Sequence, residues 1–393
     1  MNNTWKIIIG IIVIILVIWL IASTGDKPNQ PATGEPIKIG FVGPLTGDGA
    51  SYGETEKNAT ELALADLAED DSAPRFEIVY EDGKCNGKDA ATAIQKLINV
   101  DQVKIILGGT CSAETLAMAP IAEQNEVLLL SAFSSNPAIT EAGDYIFRNS
   151  PKDDDVASLD AGTIADIYDK VGVISENTDY SLGVRNTMKE IFASRGVEVV
   201  ADELYTNTDG QSTDFRSILA KVKTAHPEVL YINPGTSTNA GGVIVKQARE
   251  LGIQVPIHGN FSLGTSDALT TGGDAMDGVV ISDSSGLADA GRVVAERYKN
   301  QFGIDPANEF EMGAAYDRVI IIADAIRDVG YDVEEIKRYL YDLPNFSGVV
   351  GDYRFDENGD VVGVGFTNFV LRDGEKVPYV SGVDDNVDEN PEE

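Results

Sequence analysis

Three polar loops carry the residues of this chain best suited to holding a small ligand. The first runs Gly43-Pro-Leu-Thr-Gly47-Asp-Gly49-Ala-Ser-Tyr52-Gly53 between an apolar run and a helical pattern. Its glycines bring backbone N–H groups and Tyr52 close to any cleft beside it. The second, Gly108-Gly109-Thr110-Cys111-Ser112, stands where another helix begins. The first N–H groups of a helix have no carbonyl partner and lie at its positive end, so such a start suits an anion. Ser112 fits the N-cap position, worth about 1 kcal/mol, and its hydroxyl and the neighbouring amides equally suit a carboxylate. The third loop, Ser131-Ala-Phe133-Ser134-Ser135-Asn-Pro137, ends the next apolar run. Two such loops on adjacent strands make a shared wall, and Thr110, Ser112, Phe133, Ser134 and Ser135 are its candidate ligand-binding residues.

Catalysis finds little to work with. No G-x-S-x-G elbow occurs, His226 precedes Pro227 at a helix end, and His258 closes a strand, so both histidines read as structural. Gly47-x-Gly49 with Gly53 resembles a dinucleotide fingerprint, with Glu81 or Asp82 as the ribose acid, but its last gap is three residues rather than two. Neither a cofactor nor a metal is expected, because neither histidine has ligand-like spacing to the two cysteines. Cys85 and Cys111, 26 positions apart, read as one disulfide in an exported chain or as two buried free thiols.

The elements that must position these loops follow from length and pattern. The chain has 393 residues and a net charge of −34, enough for two or three domains and repulsive to phosphate backbones, which excludes nucleic acid. Residues 7–22 are sixteen apolar residues without a charge, preceded by Lys6 and followed by Ser23, Thr24 and Asp26. At 1.5 Å per residue they span ~24 Å, a little short of the ~30 Å hydrocarbon core. The segment 1–24 is therefore either a retained membrane anchor or a cleaved signal, with everything beyond it outside the cytoplasm. A Pro- and Gly-rich linker occupies 25–36, and the acidic tail 382–393 reads as disordered.

Between these ends, short apolar runs at 37–42, 76–80, 103–107 and 127–130 read as buried parallel strands. They alternate with helical patterns at 53–68, 88–100 and 113–124. The alternation restarts with strands at 170–174, 197–204, 229–232 and 255–257 and helices at 181–194, 214–224 and 242–251. Longer helices at 289–302 and 311–328 follow. A closing antiparallel pair, 348–355 and 361–371, turns at Asp356-Glu-Asn-Gly359. One sheet of this many strands would be unusually wide, so the pattern predicts two α/β lobes with a cleft between them.

The residues also carry a resemblance. IKIGFVGPLTGDGASYGETEKNATELAL (37–64), YEDGKCNGKDAATAIQKLI (80–98), GGTCSAETLAMAPIAEQNEVLLLSAFSSNPAIT (108–140) and YRFDENGDVVG (353–363) resemble the leucine/isoleucine/valine-binding proteins. Those are type I periplasmic solute-binding proteins of ATP-driven importers. The resemblance implies two Rossmann-like lobes, 37–153 with 284–365 and 154–283 with 366–381, hinged by three crossovers around an interlobe ligand cleft. It implies a non-enzymatic monomer that binds a branched-chain or other amino acid and hands it to a membrane permease. It places the Cys85–Cys111 bridge where such proteins carry theirs.

By the same resemblance, Ser112 and Ser135 bind the ligand's carboxylate and ammonium, Phe133 contributes backbone, Tyr52 lines the first loop and Tyr180 closes from the second lobe. One departure stands out. The acid expected to pair with the ammonium falls on Phe261, and a buried ammonium without a carboxylate costs several kcal/mol. Asp179 or Asp283 would have to substitute, or the ligand is an amide, a urea-like compound or an aromatic acid without an amine, bound by a transport or sensory module.

Overall fold

A computed structural model of the protein describes residues 35–47, 49–207, 214–235, 239–284 and 287–379. The segment 7–22, most of the linker and the acidic tail lie outside the described residues. Among those described, no helix is long and apolar enough to cross a membrane.

The first lobe begins with β1 (Ile37–Gly43), α1 (Ala50–Glu69), β2 (Phe76–Asp82), α2 (Gly87–Asn99), β3 (Ile105–Gly108), α3 (Ser112–Gln124), β4 (Leu128–Ser131) and β5 (Ile146–Arg148). Its sheet runs β2-β1-β3-β4-β5, all parallel. The runs Ile105-Ile-Leu and Leu128-Leu-Leu are buried on both faces, as parallel strands covered by helices must be.

The second lobe contributes α4 (Asp153–Ala165), β6 (Lys170–Glu176), α5 (Asp179–Arg195), β7 (Glu198–Tyr205), α6 (Arg216–Thr224), β8 (Val229–Asn233), α7 (Ala240–Glu250), β9 (Ile257–Gly259), α8 (Ser266–Gly272) and β10 (Val280–Ser284). The chain then returns to the first lobe as α9 (Asp289–Phe302), α10 (Glu309–Val329) and α11 (Val333–Asp342), with the short strands β11 (Phe346–Gly348), β12 (Gly351–Phe355) and β13 (Val361–Val362). It crosses once more as β14 (Phe366–Arg372) and β15 (Glu375–Pro378). The second sheet is ordered β15-β14-β10-β9-β8-β6-β7, with β14 antiparallel to β10. Three passages thus join the lobes: after β5, after β10 and after β13. The long helix α10 buries its apolar face with α1 in the first lobe's core.

The closing strands differ from the expected single hairpin. The Asp317 carboxylate accepts from the amides of Val349 and Val350 (2.8 and 3.2 Å), making a turn where an unbroken strand was expected. The Asp356–Gly359 turn does pair β12 with β13, but β13 is only two residues long. Gly363, at φ 121°, then turns the chain toward the other sheet, a conformation open to glycine and strained for other residues. Several elements went unread in the pattern, among them β5, α4, β10 and α11. Three-residue strands carry too little periodicity to register, and α4 opens on three consecutive aspartates.

Candidate functional site

The three loops meet at the C-terminal edge of the first sheet and face the second lobe across a cleft of about 450 Å³ that is partly open to solvent. Tyr52, Thr110, Ser112, Phe133 and Ser135 line it from the first lobe, and Thr178, Asp179, Tyr180, Gly235 and Phe261 from the second. The C-terminal ends of parallel strands are where open α/β sheets hold ligands.

On the first-lobe wall, Cys111 is the N-cap of α3 and Ser112 its first helical residue, one place from the expected cap. Extended backbone at Cys111 (ψ 145°) starts the helix there. The shift leaves the Ser112 and Ala113 amides as the first N–H groups of the helix, pointing out of its positive end. The Ser112 hydroxyl accepts from the Asn136 amide (3.3 Å) and so ties the second loop to the third.

Ser131 does the same from below. Its Oγ donates to the Gly109 carbonyl (2.7 Å) and accepts from the Ser134 amide (2.9 Å). Ser134, expected in the ligand set, is turned inward instead. Its hydroxyl is buried against Thr115 Oγ1 (2.6 Å) and donates to Gly109 O (2.8 Å), so it braces the wall without lining the cleft.

Cys85 and Cys111 form a disulfide with Cα atoms 5.2 Å apart, and both line the cleft. Closing a loop of that length contributes about 3–4 kcal/mol in the chain-entropy account. Beneath it, the buried Glu114 carboxylate accepts from the Cys85 and Cys111 amides (2.9 and 3.0 Å). Burial pushes Glu114 up to about 8, against those two hydrogen bonds. Deeper still, the fully buried Arg318 pairs with Glu56 at 2.6 Å, one helical turn after Tyr52. Burial drives both Glu56 and Glu311 upward, with Arg318 opposing.

The second-lobe wall is aromatic. Phe261 opens a tight turn (Phe261–Gly264) whose Asn260 side chain accepts from the Ser262 amide (3.0 Å). Its ring meets Phe133 at 5.0 Å and Tyr180 at 5.9 Å between centroids, and Phe133 in turn meets Tyr52 at 5.3 Å. Phe133 therefore offers its ring to the cleft, beyond the backbone role expected of it. Tyr180 follows Asp179 in the first turn of α5, where Thr178 accepts from the Ser181 amide (3.2 Å). The hydroxyls of Tyr52 and Tyr180 are buried and make no well-formed hydrogen bond among the described residues. Burial pushes both phenols above their ordinary range.

Polar latches cross between the lobes. Ser51 Oγ donates to Asp267 Oδ2 (3.1 Å), and Asn136 Nδ2 to the Asp179 carbonyl (2.7 Å).

The two acids named as substitute ammonium partners fare differently. Asp179 lines the cleft but exposes its side chain at the rim. Asp283 lies in an adjoining cavity and is paired with Lys376 Nζ at 2.6 Å. The sequence reading missed Asp153, which lines the adjoining cavity. Its signal was the Asp153-Asp154-Asp155 run just after Pro151, where the chain passes to the second lobe.

His258 is buried beside the Tyr168 and Tyr379 rings, and burial lowers it to about 4. Among the described residues, no group of three or more His, Cys, Asp or Glu side chains is placed to hold a metal ion.

Two α/β lobes joined by three passages, with polar loops of one facing an aromatic wall of the other, define a type I two-lobed binding protein. The periplasmic binding protein family model matches residues 36–365, and the chain belongs to that family, in its leucine/isoleucine/valine-binding group. It is 27% identical over 343 residues to the leucine-, isoleucine-, valine-, threonine- and alanine-binding protein of Pseudomonas aeruginosa, covering 85% of this chain and 89% of that one. A substrate-binding protein of a branched-chain amino acid transporter from Streptococcus pneumoniae, solved with isoleucine, is similar in fold (TM-score 0.78, 24% identity, 87% and 98% covered). So is a solute-binding protein of a Rhodopseudomonas palustris transporter solved with 3,4-dihydroxybenzoic acid (TM-score 0.76, 24% identity, 88% and 96% covered).

Proposed function

We propose that this protein is the extracytoplasmic solute-binding component of an ATP-driven importer, taking up a small carboxylate-bearing ligand between lobes 37–153/284–365 and 154–283/366–381. The observation that carries the reading is the cleft itself. A helix start with the open amides of Ser112 and Ala113 faces a lid of aromatic rings. The first lobe fixes the ligand's anionic end, and Tyr180 and Phe261 cover its apolar part. Nothing in this arrangement needs a reaction. Binding favours the closed form, and a permease that recognises closure receives the ligand. Amino acids are the first class to consider, because the curated relatives bear amino-acid-binding names. Aromatic acids are the second, favoured by Phe261 and by fold neighbours solved with benzoates. The protein acts as a monomer outside the cytoplasm, held at the membrane by 1–24 or released after their removal.

A thermal-shift screen of the purified protein against amino acids, benzoates, acetamide and urea tests this reading. A true ligand at a hundred times its Kd stabilises by about 2.7 kcal/mol. If no carboxylate shifts the transition, the assignment fails.

A further inference from the structure

One motif recurs along the chain that ligand binding does not explain. Among the described residues, Asn-x-Ser/Thr triplets occur at Asn58-Ala-Thr60, Asn260-Phe-Ser262 and Asn345-Phe-Ser347. Such a triplet is the acceptor of N-linked sugar in exported chains, provided that its asparagine amide stands at the surface. The fold separates the three.

Asn260 is fully buried, and its Nδ2 donates to Asn233 Oδ1 (2.7 Å) and to the Pro234 carbonyl (3.0 Å). Ser262, the hydroxyl of that triplet, is 1% exposed. A sugar on Nδ2 would replace one of those donor hydrogens and would need room where the second-lobe wall is packed. Asn58 is half-buried on α1, where its Nδ2 donates to the Tyr298 hydroxyl (3.2 Å) and Thr60 is fully buried. Neither amide has space for an oligosaccharide in this fold.

Asn345 differs on each count. Helix α11 ends at Asp342, and Leu343 is extended (ψ 113°), as a residue before proline prefers. The chain then enters β11, where Phe346 pairs with Tyr353 and Ser347 with Asp352. Extended backbone sends alternate side chains to opposite sides, and here Asn345 and Ser347 are exposed while Phe346 is half-buried. The Phe346 ring lies 5.2 Å from that of Tyr353 and pins the triplet from below. The amide and the hydroxyl that define the acceptor therefore share the open side of an anchored segment. None of the three residues lines the cleft or its adjoining cavity, so a bulky group there leaves both spaces clear.

We propose that Asn345 is an N-glycosylation site that takes an oligosaccharide from a phosphate-linked lipid donor outside the cytoplasm. Nδ2 bonds to the anomeric carbon of the sugar, while the bond from that carbon to the lipid's phosphate oxygen breaks. The phosphate leaves with the electron pair, and one amide proton passes to a base of the membrane transferase. Nothing is oxidised or reduced. Glycosylation at Asn345 requires export, and so rests on the extracytoplasmic placement proposed above.

The test is tryptic peptide mapping by mass spectrometry of the full protein purified from the cells that naturally make it. Trypsin releases the three triplets in separate peptides, 58–75, 250–292 and 339–354. Peptide 339–354 should be shifted up by the mass of an oligosaccharide on Asn345, with the other two unshifted. Ser347→Ala, made in the same cells, should lose the added mass although the asparagine remains, and Asn345→Gln should lose it too. An unshifted 339–354, sugar on Ser347 instead, sugar that survives Ser347→Ala, or sugar on Asn58 or Asn260 overturns the assignment. Each of those outcomes leaves the binding-protein reading standing, since the ligand screen tests it separately. Recovery of the protein from the cytoplasm overturns the site and the extracytoplasmic placement together.

Discussion

The two walls of the cleft are built on different physics. The first-lobe wall is polar and over-braced: a disulfide, the Glu114 carboxylate beneath it and the Ser131 and Ser134 hydroxyls hold three loops in one arrangement. The second-lobe wall is aromatic, and it reaches the first through ring contacts and hydrogen bonds that include Ser51 to Asp267 and Asn136 to the Asp179 carbonyl. A pre-set wall loses little entropy when it meets the ligand's charged end. A wall joined by few contacts can leave and return, as a closing lobe must. The contrast assigns orientation of the ligand to the first lobe and retention to the second.

The largest effect should come from cutting the brace. Replacing Cys85 and Cys111 together by Ser should lower stability by about 3–4 kcal/mol, read by denaturant unfolding. Affinity should fall as well, because Glu114 and the Ser131 and Ser134 hydroxyls would then set the loops without the covalent staple. Full affinity in a destabilised variant would show that the first wall is not held by its staple.

Next is Ser112→Ala, which removes a cleft-lining hydroxyl, proposed to face the ligand's carboxylate, and its tie to Asn136. We expect about 1.5–3 kcal/mol lost in binding with little change in stability. Phe261→Ala should cost about 1–2 kcal/mol of affinity, through the lost ring contacts. It should act on the dissociation rate rather than the association rate, since the lid retains and does not orient. The smallest effect belongs to Asp267→Ala. Breaking one latch to Ser51 should weaken binding by about 0.5–1.5 kcal/mol and leave the melting profile nearly unchanged. Equal rate signatures for Ser112 and Phe261 variants would erase the division of labour between the walls.

How much of this could be read from the chain also divides between the walls. Strand-helix alternation gave away both lobes, because parallel strands buried on two faces are short continuous apolar runs such as Leu128-Leu-Leu. The glycine- and serine-rich strand ends marked the first wall, and the Ser112 estimate missed the cap by only one residue. The second wall was legible only through family resemblance, since Tyr180 and Phe261 carry no local signal of facing a cleft. Pairing of acids was not legible at all. Asp283 is spent on Lys376, 93 positions away in sequence, while Asp153 is left over because Arg148 turns to Asp360. Such balances are set by tertiary contacts and have no footprint in spacing. Ser134 shows the same limit, being one residue from the cleft yet turned into the fold.

The most direct test of the whole account is small-angle X-ray scattering of the protein with and without saturating amounts of the strongest ligand from the thermal-shift screen. Lobes that close on a ligand predict a smaller radius of gyration in its presence, and a smaller change for Phe261→Ala. Saturated binding with an unchanged radius of gyration would contradict it.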